Sequence, residues 1–373
     1  MRGLIRLEAT QFSSGSNSTT LMVDKGHIVH VTDCLTDGIL TFLVDATREL
    51  DSLGYTQTII FCRDIEPPTG FESYFSSSVT LTETRSLGST LRRVVRETEP
   101  VAVHLHSFKA GLVGRAVMLT NRSRARVCYS PHGLSFLNSQ RRLPSFGYWL
   151  MEWCAGLPKF QPVGSSKSEA RLLEGVSRHE AFLLENPVAD EFFSIEREPH
   201  PELTVVSIGR ASEQKAPDVF GELAVRCSFH HGKPTRFVWV GTGTPEQIVK
   251  LRSAGVEVTG WVNSDVVMKW LATADVYVQT SRWEGLPLTV IQAMAAGVPC
   301  VVTDVVGNRD AIKNAHTGFV VGDQDTLERT VQHLLDDEVL RARVGQAARV
   351  DARNRFSRNR FRESLKLLYG FNG

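Results

Sequence analysis

Apolar residues along this chain collect in short Val- and Ile-rich runs, and between the runs they recur at helical spacing. A short run bounded by turn residues suits a buried strand, and recurrence every three or four positions suits a helix with one face on a core. The runs predict strands at His27 to Thr32, Thr56 to Arg63, Val101 to Leu105, Arg126 to Tyr129 and Ala181 to Leu184. A second series follows at Leu203 to Ile208, Phe237 to Val240, Val256 to Thr259, Val276 to Val278 and Cys300 to Thr303. Strands alternating with helices argue for an α/β protein with parallel sheets covered on both faces.

Between the two series lie Glu185-Asn186-Pro187-Val188 and the charged, proline-bearing stretch from Glu196 to Glu202, the best candidate linker. The pattern divides the chain into residues 1–189, residues 190–355 and a C-terminal segment 356–373, with 1–25 a mobile extension that includes the Ser/Thr-rich Ser13 to Thr20. Two doubly wound domains with a ligand in the cleft between them are the expected architecture. In the last segment Phe361, Leu365 and Leu368 make one apolar face, as a packing helix requires.

The densest local pattern is SRWEGLPLTVIQAMAAGVPCVVTD, Ser281 to Asp304. It reads as a strand end, an acidic loop, a helix and the next strand, with Pro287 placed at the helix start. Leu288, Ile291 and Ala295 form an apolar stripe; Thr289, Gln292, Ala293 and Ala296 form a stripe of small or polar residues. Such a helix N-terminus behind a glycine suits close approach of an anion. Further upstream, Ser207 to Asp218 ends a strand at Gly209 and places Arg210 and Lys215 in the following loop. Two loop cations are either solvated or positioned for an anion such as a diphosphate, whose charge grows as a bond to it breaks.

The Glu284 stretch resembles the donor-site signature of family-4 retaining glycosyltransferases of the GT-B fold, in which two acidic residues are separated by seven others. Here Glu284 holds the first position and Gln292 the second. The stretches His104 to Gly111 and Tyr129 to Phe136 are similar to bacterial capsule and exopolysaccharide glycosyltransferases in particular. The resemblance implies GT-B architecture, two Rossmann-like domains facing across a cleft, with an acceptor-binding first domain and a nucleotide-sugar-binding second one. It implies that Arg210 and Lys215 clamp the donor diphosphate, that Glu284 orients the donor sugar, and that Gln292 contacts the ribose. Gly285, Leu286, Pro287 and Leu288 would lie along the donor. Gly241 and Gly243, in a loop that is otherwise a plain turn, would lie beside the nucleotide, and Trp261 either stacks on the base or packs in the core. Gly38 stands where the family often has two glycines against the diphosphate. On the acceptor side it implies His106, Ser107, Lys109 and His132. His132 would sit near the reacting sugar, donating a hydrogen bond to a hydroxyl or carrying charge near phosphate; a structural loop histidine is the other reading. His104 and His106 lack a nearby carboxylate or cysteine to complete a metal set, so no metal and no cofactor are expected. The C-terminal helix would cross back onto the first domain.

Composition changes this picture little. A chain of 373 residues suits two domains, and 42% hydrophobic with 22% charged residues is ordinary for a globular protein. The formal net charge of +1 argues against a general nucleic-acid-binding surface. Six scattered cysteines suit reduced, mostly buried thiols and a cytoplasmic protein. There is no signal-peptide core and no run long enough for a membrane span. Charge is uneven, however: from Arg85 to Arg142 ten arginines and one lysine face two glutamates, a net of +9. That is either a solvated face, with Arg92, Arg93 and Arg96 at helical spacing, or a surface for anionic lipid and peripheral contact with the inner membrane. No P-loop, three-glycine dinucleotide fingerprint, zinc-protease helix or nucleophile elbow is present. The expected activity is transfer of a sugar from a nucleotide-diphosphate donor to a surface-polysaccharide or lipid-linked acceptor. A nucleotide-sugar epimerase, or a silent nucleotide-sugar-binding partner suggested by Gln292, are the alternatives.

Overall fold

A computed structural model describes residues 25–33, 37–62, 71–134, 142–156, 160–198, 202–230 and 233–370. Residues 1–24 of the expected N-terminal extension, Ser13 to Thr20 among them, lie outside the described residues. The described residues form two compact units: one within Met1–Gly164, Ala170–Leu184 and Arg362–Gly373, the other within Ser165–Glu169 and Glu185–Phe361.

The first unit holds β1 (His27–Thr32), α1 (Asp37–Ser52), β2 (Thr56–Cys62), β3 (Ser78–Thr82), α2 (Leu87–Thr98), β4 (Ala102–His106), α3 (Phe108–Leu119), β5 (Arg126–Ser130), α4 (Arg142–Ala155), β6 (Gln161–Gly164), most of α5 (Lys167–Ser177) and β7 (Phe182–Leu183). Its seven strands lie in the order β3-β2-β1-β4-β5-β6-β7, all parallel. The core follows from the pattern: Leu87, Leu91, Val94 and Val95 put one face of α2 on Val29, Val31, Val103 and Leu105. The chain starts mid-sheet, winds outward to β3, then returns to β4 on the other side of β1. That reversal makes a crevice outside the carboxyl ends of β1 and β4, where ligands bind in open α/β sheets.

The second unit contains β8 (Thr204–Ile208), α6 (Pro217–Arg226), a short hairpin of β9 (Phe229–His230) and β10 (Lys233–Pro234), β11 (Arg236–Val240), α7 (Pro245–Ser253), β12 (Glu257–Val258), α8 (Ser264–Thr273), β13 (Val276–Gln279), α9 (Leu288–Ala295), β14 (Cys300–Thr303), α10 (Asn308–Ala311), β15 (Phe319–Val321), α11 (Gln324–Asp336) and α12 (Glu338–Arg355). Its six-stranded sheet runs β12-β11-β8-β13-β14-β15, so its reversal falls between β8 and β13. The last helix, α13 (Arg358–Tyr369), buries Leu365, Leu368 and Tyr369, and within the first unit the Tyr369 hydroxyl lies 2.7 Å from His104 Nδ1.

Besides the two-residue strands of the β9–β10 hairpin, three strands lack the run that would predict them. β3 is a polar edge strand, β6 carries Pro162 and Gly164, and β15 is three residues long. Proline within a sheet and short edges both dilute the apolar signal. At α9 the start also moves by one position: Pro287 is the extended residue before the helix, not its first turn.

Candidate functional site

In the second unit the loops after β8 and β13, adjacent strands at the reversal, are stitched together. Arg282 N–H donates to Gln214 O (2.8 Å), and the Thr280 hydroxyl lies 2.9 and 3.0 Å from the carbonyls of Lys215 and Ala216. The Arg282 guanidinium adds bonds to Glu213 O and Asp218. The consequence is a meeting of groups 69 positions apart: Lys215 Nζ donates to Glu284 Oε1 at 2.7 Å. Glu284 is 6% exposed, and the same oxygen accepts from Gln279 Nε2 (2.9 Å) and Ser281 Oγ (2.6 Å). A buried carboxylate needs such partners, because leaving it unpaired is costly.

A third layer holds these partners. Gln279 must turn its amide nitrogen to Glu284, which leaves Oε1 to accept from the buried Tyr277 hydroxyl at 2.6 Å; that hydroxyl also stands 2.8 Å from Thr289 Oγ1 on α9. Burial pushes the Tyr277 pKa well up, so the hydroxyl stays protonated and able to donate. Arg210 is exposed and has no partner among the described residues. Gln292 is half-buried on α9, its amide unengaged among the described residues. Leu286 packs into the core beside Val290 and Ile291, so any ligand contact at Leu286 is through its backbone. Pro287 is buried and Leu288 half-buried. Trp261 is 73% exposed, which removes the packing reading of that residue.

Gly241 and Gly243 have a structural reason to be glycine. A Cβ on Gly241 would stand 2.1 Å from Gly209 O, and one on Gly243 would stand 2.7 Å from Ala211 Cβ. The loop after β11 therefore lies directly on the Arg210 loop, joined by Ala211 N–H to Thr242 O at 2.7 Å.

In the first unit a row of histidines occupies the corresponding reversal. His30 on β1 is in register with His104 on β4, and His106 is two residues on, so all three rings share one face of the sheet. All three are fully buried. His30 Nδ1 lies 3.1 Å from His106 Nε2, and His106 Nδ1 lies 2.9 Å from His132 Nε2. His104 makes a separate arm, to Tyr369 and to Ser130 Oγ (2.8 Å). Phe42 of α1 closes the face, edge-on to His132 at 4.9 Å between ring centroids. Burial lowers the pKa of His30 and of His132 to about 4, and those of His104 and His106 fall well below the usual value for the same reason. These rings are neutral at pH 7. The charged role for His132 near phosphate is thereby disfavoured.

Two residues here hold rarely populated backbone conformations: His132 has φ +54° and Ser107 has φ +77°, ψ 165°. Strain of about 1–3 kcal/mol per residue persists where surrounding contacts impose it. Asp33 supplies one such contact, accepting from the Ser107 hydroxyl and from Ala110 N–H at 3.1 Å. His106 has both ring nitrogens engaged and no exposure, so it cannot itself touch an acceptor as expected. Lys109 on α3 and Gly38 in the first turn of α1 are exposed.

Sequence reasoning missed His30 and Gln57, which lie on neighbouring strands far from the histidine motif; only the register of a parallel sheet unites them. It also overlooked that His30, His104 and His106 bring ring nitrogens within 4.8 Å of one another, close enough to hold a metal ion. The basic stretch needs correction too. Arg115 is buried, paired with Glu152 at 2.8 Å and stacked over Tyr129. Arg92, Arg96, Arg122 and Arg124 instead line a surface concavity of about 700 Å³ with Glu99, at the opposite strand ends from the histidines. Among the described residues no helix is long and apolar enough to cross a membrane, and four of the five described cysteines are buried, Cys154 being exposed.

The two reversed parallel sheets, each with a strand-end site, have the GT-B fold. Comparison with known proteins specifies the class further: residues 202–337 match the family described as glycosyl transferases group 1. The chain is a glycosyltransferase that carries this domain in its second unit. It is 26% identical over 277 residues to the Escherichia coli UDP-Gal:alpha-D-GlcNAc-diphosphoundecaprenol alpha-1,3-galactosyltransferase, covering 67% of this chain and 70% of that one. It is 23% identical over 361 residues to an uncharacterised 41.2 kDa protein in the cps region of Klebsiella pneumoniae, covering 91% and 96%. Among solved structures, Anabaena HepE in complex with UDP and glucose superposes with a TM-score of 0.76 at 15% identity, over 92% of this chain and 99% of that one. These comparisons support a role in capsule or polysaccharide biosynthesis and lend nothing to the epimerase or silent-partner readings.

Proposed function

We propose that this glycosyltransferase acts with retention, moving a sugar from a nucleotide-diphosphate donor to a lipid-linked or growing surface-polysaccharide acceptor, without a metal. The observation that carries the reading is the meeting of Lys215 and Glu284 at the β8/β13 reversal, with Arg210, in the same loop as Lys215, unpaired among the described residues. Arg210 and Lys215 hold the donor diphosphate and stabilise the charge that grows on it as the sugar leaves. Glu284 receives hydroxyls of the donor sugar once Lys215 turns to phosphate, and Gln292 binds the ribose. Trp261 is accessible to the base, while Gly285, Leu286 and the start of α9 offer backbone to the donor.

In the transfer the bond from the anomeric carbon to the diphosphate oxygen breaks, and the acceptor oxygen bonds the same carbon from the same face. The acceptor proton passes to the departing diphosphate, so no strong protein base is needed. Ser107, Lys109 and His132 belong to the acceptor side. A lipid-linked acceptor is favoured by the diphosphoundecaprenol substrate in the name of the Escherichia coli relative and by an apolar groove of about 450 Å³ lined by Leu112, Leu119, Leu150 and Met151. Leu119, Leu150 and Met151 are more than 40% exposed, as a surface in peripheral contact with a membrane would be.

Product analysis tests this reading: a panel of nucleotide sugars is offered with diphosphate-linked lipid acceptors, and the new linkage is read by NMR. An inverted anomeric centre would exclude retention. Activity should survive EDTA; inactivation by EDTA that one divalent ion reverses would exclude the metal-free account.

A further inference from the structure

A chain of hydrogen bonds runs from an amide deep in the first unit to the loop after β5, and its polarity can be read link by link. Gln57 on β2 is 4% exposed, and its amide nitrogen faces two groups that can only accept: Thr47 O at 2.9 Å and Asp51 Oδ1 at 2.6 Å. The orientation of the amide is thus forced. Its Oε1 is buried without a partner among the described residues, and so is His30 Nε2. His30 is in register with Ile59, two residues on from Gln57, so the two side chains are diagonal neighbours on one face of β1 and β2. A buried oxygen that can only accept must meet a donor, so His30 carries its proton on Nε2. His30 Nδ1 is then an acceptor, and His106 donates to it from Nε2. His106 Nδ1 accepts in turn, and His132 donates to it from Nε2. A neutral imidazole has one proton, so the last nitrogen of the chain, His132 Nδ1, bears a lone pair. No described residue engages it.

We infer that Gln57, His30 and His106 are positioning residues that fix the tautomer of His132, so that Nδ1 accepts a hydrogen bond from a ligand hydroxyl and disfavours a carboxylate or phosphate oxygen there. The ligand class is a polyol such as a sugar. The opposite polarity would set two buried acceptors, Gln57 Oε1 and His30 Nε2, against each other, and the low basicity of the rings disfavours an imidazolium that would blur the choice. The placement of the hydroxyl on a substrate rests on the proposed transferase site; the tautomer itself does not.

The test is long-range ¹H–¹⁵N NMR of the histidine rings in the ligand-free full chain at neutral pH, with His30, His106 and His132 assigned by single substitution. All three should be protonated on Nε2 alone. A proton on His132 Nδ1, or an imidazolium, overturns the inference. Gln57→Leu should leave the fold intact by circular dichroism, mix the two tautomers at His132 and lower kcat about tenfold, with the donor KM unchanged within about twofold. An unmixed His132 spectrum in folded Gln57→Leu would show that Gln57 does not set the polarity; if that variant does not fold, the wild-type spectrum alone decides. Zinc is added last: no saturable shift is expected, and saturable zinc binding that moves His30, His104 and His106 together would replace the relay by a metal centre. Failure of nucleotide sugars to bind while the Nε2 pattern holds would count against the proposed function and leave the tautomer assignment standing.

Discussion

In the second unit the candidate groups are charged and hold one another; in the first they are neutral rings held by a sheet. Glu284 sits under cover with Lys215, Gln279 and Ser281 around it, and the lysine is still 19% exposed and able to turn to a ligand. The histidines are buried as deeply, yet among the described residues no carboxylate pairs with them, and burial favours the neutral ring. Both clusters stand at the carboxyl ends of strands where the sheet order reverses. Similar positions thus serve two chemistries: one stabilises a changing charge, and the other presents a fixed pattern of donors and acceptors.

The contrast breaks first at the charged pair. Arg210→Ala and Lys215→Ala should each cost about 2–5 kcal/mol of donor transition-state binding while the protein stays folded. Steady-state kinetics on both variants would show it, and wild-type turnover in either would remove that residue from the clamp. Glu284→Gln should lower kcat and kcat/KM together by roughly a hundredfold, because an interaction stronger in the transition state is weakened. A rise in KM alone would make Glu284 a ground-state contact.

The histidine wall should show itself in stability. A ring whose pKa is lowered on folding takes up its proton more readily when unfolded, so stability is complete above the ordinary value of 6.5 and declines as pH falls toward the folded value. For His30, with its folded pKa at about 4, the decline between pH 7 and pH 5 is about 2 kcal/mol, and the other three rings act in the same direction. Denaturant unfolding at the two pH values measures this; equal stability at both would contradict neutral buried rings. The smallest effect is expected at Gln292. Gln292→Glu should bind donor equally or up to about 1 kcal/mol better, since a carboxylate makes stronger hydrogen bonds to ribose hydroxyls. Weaker binding would mean that repulsion from the diphosphate outweighs that gain.

How much of this was legible before the structure follows the distance along the chain. The strand–loop–helix unit around Glu284 lies in one continuous stretch, so its residues and spacing could be read directly, as could the Arg210 loop. That Lys215 and Glu284 touch could not, because β8 and β13 become neighbours only through the order of the sheet. His104 and His106 were visible as alternate residues of one strand, but His30 and Gln57 enter through β1 and β2 and carry no motif. The basic stretch misled for a related reason: charge counted along the chain assigns Arg115 to a surface, whereas Glu152 and the Tyr129 ring hold it inside. Trp261 shows the limit of residue-type expectation, since a tryptophan after a strand usually packs and this one is exposed.

The most direct test of the central claim is calorimetric titration of nucleotide-diphosphate sugars into the wild-type chain and into Lys215→Ala, without added metal. The account predicts saturable binding of at least one donor to wild type, weakened about thirtyfold or more in the variant. Binding that Lys215→Ala leaves unchanged, or no donor bound by wild type while Gln292→Glu binds one, would contradict it.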